Sequence, residues 1–203
     1  MIEEQFEDLE QQQQAYSLGM WIFLASELML FGGLFLAYSL GRFTHQTEFA
    51  QASLDMKRML GALNTAVLLT SSTVMAFAVD RGEKGNWKGA ARLLLITAFL
   101  GLVFLGIKGY EWHEEFLHFK VPGPHFQGDA GEQLFFFFYF TLTGLHAFHL
   151  SLGVLAVLTC AGLARYRPPA EGSPIMMLGL YWHLVDLLWF FLYPLLYLIG
   201  TRP

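Results

Sequence analysis

The chain has 203 residues, of which 55% are hydrophobic and only 14% charged, with a formal net charge of −5. Soluble globular chains carry nearer a quarter of their residues charged, so the composition points to an integral membrane protein, and no basic block suggests nucleic acid. The single cysteine, Cys160, excludes a disulfide framework and a cysteine-based metal cluster within the chain.

The first stretch, MIEEQFEDLEQQQQ, carries Glu3, Glu4, Glu7, Asp8 and Glu10 and no lysine or arginine. A signal peptide opens basic and then turns apolar, so residues 1–16 read as a polar acidic tail. A spanning helix needs roughly 20 mostly apolar residues to cross a core of about 30 Å. Five stretches meet that need and give an all-α bundle of five transmembrane helices over residues 17–200. The first covers about 17–40, broken by one charge, Glu27. The second covers about 60–79 and has none. The third has an uncharged core, Leu93–Ile107, which is short, so its helix is expected to extend over about 88–112 and take in Lys108 and Glu111. The fourth, about 134–164, is long enough to tilt. The fifth, about 174–200, contains Asp186. Continuous apolar runs rather than alternation make these helices and not barrel strands. The connections are polar, and Pro122, Pro124, Pro168 and Pro169 mark helix ends within them.

Lysine and arginine in short loops set the sides of a membrane protein. The tail side carries Arg81, Lys84, Lys88, Arg92, Arg165 and Arg167, against Arg42, Lys57, Arg58, Lys120 and Arg202 opposite. That slim margin leans towards a cytoplasmic N-terminus and a C-terminus outside.

Ionisable side chains at bilayer depth usually face protein or water and often mark function. Here they are Glu27, His146, His149, His183 and Asp186, with Glu111 near an interface. His146 and His149, three apart in TGLHAFHLSLG, fall on roughly one helix face among small residues that suit close packing. Interhelical hydrogen bonding is the plain reading; ligation of haem or copper and pH sensing are the alternatives. In HEEFLH the second histidine, His118, comes five residues after His113, where a zinc-protease helix needs four, so the stretch reads as an amphipathic helix end. Glu27 has no basic residue within a helical turn. It is therefore either protonated or paired with a group from another helix, chain or lipid, and proton relay and helix contact both stay open. His183 and Asp186, three apart, could hydrogen-bond to each other. The Trp182, Asp186, Trp189, Tyr193 stripe reads as packing and lipid contact. In LNTAVLLTSS, Asn64 with Ser71, and Thr65 with Ser72, face alike and suit hydrogen bonds to a neighbouring helix.

Five strings in order, GMWIFLASELMLFGGLF, LNTAVLLTSS, GYEWHE, TGLHAFHLSLG and YWHLVDLLWFFLYPLLYL, resemble subunit III of the haem–copper terminal oxidases in its short five-helix bacterial form. The resemblance covers about Ser17 to Gly200. It implies a non-catalytic subunit of an oxygen-reducing, proton-translocating complex in a bacterial plasma membrane, N-terminus in the cytoplasm. It implies no cofactor in this chain, with haem and copper in partner subunits. Subunit I would be the direct partner, with subunit II in the same complex, phospholipids bound and a larger respiratory assembly as a further setting. The chain would support proton uptake and protect the catalytic subunit during turnover. Glu27, Glu111, His146, His149, His183 and Asp186 match family positions, His146 and His149 as structural groups and His183 with Asp186 as the fifth-helix pair. The LNT motif with Glu27 leans towards cytochrome c as donor. A ubiquinol oxidase subunit III and a nitric oxide reductase accessory protein are the related alternatives, and an independent proton carrier or channel is the alternative of a different class.

Overall fold

The computed structural model describes residues 9–123, 126–166 and 174–200. Among them are six helices: α1 (Leu9–Thr44), α2 (Gln46–Asp55), α3 (Arg58–Glu83), α4 (Trp87–Leu117), α5 (Ala130–Tyr166) and α6 (Pro174–Tyr197). All but α2 are long and apolar enough to cross a membrane, as the uncharged runs require. Pro124, Pro168, Pro169, Arg167 and Arg202 lie outside the described residues.

The helices run further than the apolar stretches. α1 reaches back to Leu9, into the segment read as tail, and α4 continues past Glu111 to Leu117. Helical hydrogen bonding does not stop where the lipid stops. The segment between the first two spans, read as a loop, holds α2. Its short buried face of Phe49, Ala52 and Ser53 is masked by polar residues around it. Phe49 packs 5.4 Å from the Tyr38 ring and 5.5 Å from Phe135, which ties α2 to the ends of α1 and α5.

Sequence punctuation explains the turns. Gly85 takes φ +74° after α3, a left-handed value that costs glycine nothing. Asn86 then caps α4, its side chain accepting from the Gly89 amide at 3.0 Å. At the other end of α4, Phe119 adopts φ 56° and the Lys120 amide donates back to the Glu115 carbonyl at 3.1 Å. This hook returns Lys120 over Glu115 (3.9 Å) and to Asp55 of α2 (2.9 Å).

α4 packs along both α3 and α5, and α6 closes the ring against α3 and α5. α1 lies outside that ring, against α5, α6 and α2. Because lipid tails are as apolar as leucine, close packing and polar contacts hold such helices together. The core is correspondingly aromatic: Trp182, Trp189, Tyr38, Tyr139, Tyr197, Phe31 and Phe104 are all sealed from the surface. A Cβ on Gly101 would lie 2.8 Å from Val154 and 3.0 Å from Trp182, so α4 meets α5 and α6 there only through a missing side chain. The α6 stripe is turned inward. Trp182 donates to Ser71 at 3.2 Å and Trp189 to Thr65 at 3.1 Å, so its contact is with α3 rather than lipid.

Candidate functional site

Lys108 is the polar centre of the bundle and is 1% exposed. Its ammonium has three hydrogens and three acceptors: Glu111 Oε2 at 3.2 Å, the Tyr139 hydroxyl at 2.9 Å and the Tyr197 hydroxyl at 2.5 Å. Each hydroxyl in turn donates to Glu111 Oε1, from 2.9 Å for Tyr139 and 2.5 Å for Tyr197. Every hydrogen of the ammonium and of both phenols is therefore used, and three helices (α4, α5, α6) meet at one closed knot. The electron-rich faces of Tyr139 (4.5 Å) and Trp189 (5.3 Å) complete the shell of the cation. A buried ion pair repays its desolvation only with this kind of full satisfaction. The sequence signal was available: a lysine and a glutamate three apart within a span, on one helix face. The tyrosines come from runs where nothing local marks them.

Glu27 and His149 meet across α1 and α5. His149 Nε2 stands 2.8 Å from Glu27 Oε2, and Nδ1 lies 2.8 Å from the Leu145 carbonyl. A carbonyl only accepts, so Nδ1 carries a hydrogen. Glu27 and His149 stand as an ion-pair contact, although Glu27 Oε2 makes no hydrogen bond of ordinary geometry among the described residues. Glu27 thus finds its partner on another helix. Both nitrogens of His149 thus face neighbours within the chain.

His146, one turn earlier, points elsewhere. It is fully buried between the Phe104 ring (5.4 Å) and the Trp189 ring (5.1 Å). Neither of its nitrogens has a hydrogen-bond partner among the described residues. The same holds for the fully buried Asn64, although Ser71 on that face donates to the Thr97 carbonyl at 3.3 Å. The two histidines share a helix but not a site.

The expected bond between His183 and Asp186 is not made. His183 Nδ1 instead lies 2.7 Å from Ser72 Oγ, across on α3. Asp186 is 7% exposed and lies close to the same serine. Its carboxylate oxygens make no hydrogen bond of ordinary geometry among the described residues. The spacing on α6 was right and the partner helix was missing from the reading. His113 and His118 are both exposed, His118 Nδ1 turned to the Glu114 carbonyl at 2.8 Å. Among the described residues no three His, Cys, Asp or Glu side chains converge as a metal site requires.

A ring of four spans, a fifth laid outside it, and charges at Lys108 and Glu27 met by groups on other helices define a multi-pass helical membrane protein. The cytochrome c oxidase subunit III family matches residues 5–201, and the chain belongs to that family, filling the role of subunit III in a haem–copper oxidase complex. A cytochrome c oxidase subunit 3 from Alkalihalophilus pseudofirmus is 32% identical over 91% of this chain and 86% of its own length. A quinol oxidase subunit 3 from Bacillus spizizenii is 31% identical over 90% and 86%. A haem–copper oxidase subunit I+III from Aeropyrum pernix is 31% identical over 89% of this chain and 22% of its own length.

Proposed function

We propose that this chain is the cofactor-free subunit III of a proton-translocating haem–copper oxidase, with no catalytic site of its own. It docks directly on subunit I, beside subunit II, in a bacterial plasma membrane, with the N-terminus in the cytoplasm. Its task is to stabilise the catalytic subunit through repeated turnovers and to support proton uptake there. The observation that carries the reading is the internal pairing of the intramembrane charges. Lys108 is held by Glu111, Tyr139 and Tyr197, and Glu27 by His149, so these groups are occupied as helix contacts rather than held open as ligands. The subunit I+III relative supports the choice of neighbour, because one chain carries both parts there. Cytochrome c is the donor we favour. The quinol oxidase relative supports a second reading with quinol as donor.

The test is the tagged complex, purified gently. Haem bands are expected in the complex and absent from this chain after its separation. Glu27→Ala, which leaves His149 without its partner, should keep haem content and shorten the active lifetime during turnover. Haem retained by the separated chain, or inactivation kinetics identical to the parent, would overturn the proposal.

A further inference from the structure

The knot is complete within the chain and Glu27 has His149 beside it, but the α3–α6 seam is open. Ser72 and His183 are both half-buried, and they join α3 to α6 at the edge of the seam. Asp186 stands behind them with its oxygens sealed inside. His183 Nε2 has no partner among the described residues. Around it the two helices show large apolar side chains, Leu69 on α3 and Leu187 on α6, 52% and 48% exposed.

Lipid tails offer no hydrogen bonds, so a half-buried imidazole at bilayer depth calls for a polar group from another chain. The exposed hydroxyls nearby carry no such need. Thr70 and Thr73 donate to the carbonyls of Ala66 and Leu69 at 2.8 and 2.9 Å, within their own helix. The chemistry of His183 is further set by what lies behind it. Where Ser72 accepts from Nδ1–H, the outer Nε2 presents a lone pair. Where Ser72 donates to Nδ1, the outer nitrogen presents N–H. A hydroxyl or amide side chain satisfies both forms.

We propose that the α3–α6 seam at His183 is the intramembrane docking surface for the catalytic subunit, and that a transmembrane helix of subunit I places a hydroxyl or amide side chain on the outer nitrogen of His183, with Ser72 as the positioning residue behind it. The identity of the neighbour rests on the subunit III reading above; the place on the surface rests on the seam alone. The subunit I+III relative carries the two parts in one polypeptide, which supports subunit I rather than a second copy of this chain as the occupant. An interhelical hydrogen bond at this depth is worth enough to change dissociation by roughly three- to tenfold.

The experiment uses the whole complex. A photo-activated cross-linking amino acid replaces Leu187 on the seam and, in a separate preparation, Met29 on the exposed face of α1, which is 77% exposed. Irradiation should join the Leu187 probe to subunit I, and the Met29 probe to lipid or to nothing. His183→Phe should speed loss of this subunit from the complex on detergent dilution by threefold or more, and His183→Gln should restore most of the retention. Ser72→Ala should speed loss while leaving the fold intact. A Leu187 probe that captures only lipid or a second copy of this chain would overturn the inference, as would retention unchanged in His183→Phe. If the chain fails to copurify with any haem-bearing partner, the subunit III reading has failed first. Copurification with a silent Leu187 probe sinks only the seam.

Discussion

The closed knot at Lys108 makes a quantitative prediction. Lys108→Met leaves the Glu111 carboxylate buried with two phenol donors and no counter-charge. Glu111→Gln leaves the ammonium with hydroxyl acceptors but no anion. Removing one partner of a buried pair costs about 3–5 kcal/mol. The two tyrosine hydroxyls still solvate whichever ion remains, at 2.5–2.9 Å, so each single change should fall at the lower end, about 3 kcal/mol. In the double variant no ion is left, and the amide still meets both phenols. Its cost should be less than that of either single change. For a chain of this size a change of 1 kcal/mol moves the unfolding midpoint by about 2–4 °C, so each single variant should lose about 6–12 °C. Thermal unfolding of the subunit within the purified complex, for the parent, both singles and the double, measures the cycle. A double variant whose loss equals the sum of the singles would refute the knot as a coupled unit.

Two further outcomes test the packing. Gly101→Ala puts a methyl against Val154 and Trp182 and should cost about 1–3 kcal/mol, whereas Gly32→Ala, with nothing within 4 Å, should leave the same unfolding midpoint nearly unmoved. Removing the Trp182–Ser71 bond by Trp182→Phe, Ser71→Ala and both together should return a coupling of about 0.6 kcal/mol, the scale of interhelical bonds in membranes, and zero coupling would make the 3.2 Å contact incidental.

The five spans were legible because a bilayer demands long uncharged runs, and such runs can be counted without knowing a single tertiary contact. α2 was not, since ten residues with three buried positions give too little periodicity to stand out from a polar loop. The Glu27 reading went as far as one sequence allows: no basic residue within a turn, hence a protonated carboxyl or a partner on another helix, another chain or lipid. Which helix supplied it needed the fold. Lys108 shows the opposite case. It sits just past the uncharged core Leu93–Ile107, so it read only as a charge taken in where the helix extends. Only when α5 and α6 bring Tyr139 and Tyr197 alongside does that same charge become the centre of the bundle. His183 and Asp186 fail for a related reason. Spacing along one helix says which residues can meet, and Ser72 on α3 offered His183 the better contact.

The intramembrane polar groups divide by whether the chain satisfies them. The knot joins α4, α5 and α6, and Glu27–His149 adds α1, all without a second protein. Charges neutralised in this way let the helices pack as soon as they are inserted, before any partner arrives. His146 and Asn64 are sealed inside the bundle, where no partner chain can reach them, whereas the α3–α6 seam leaves His183 half-buried with its outer nitrogen open to a partner. That division sets an order. The bundle closes first on its own charges, and the seam is completed last, by the chain that docks there. A group finished only on docking favours the assembled complex over the free subunit, while the knot has the same contacts in both. Variants in the knot should therefore unfold the subunit, and variants in the seam should release it folded.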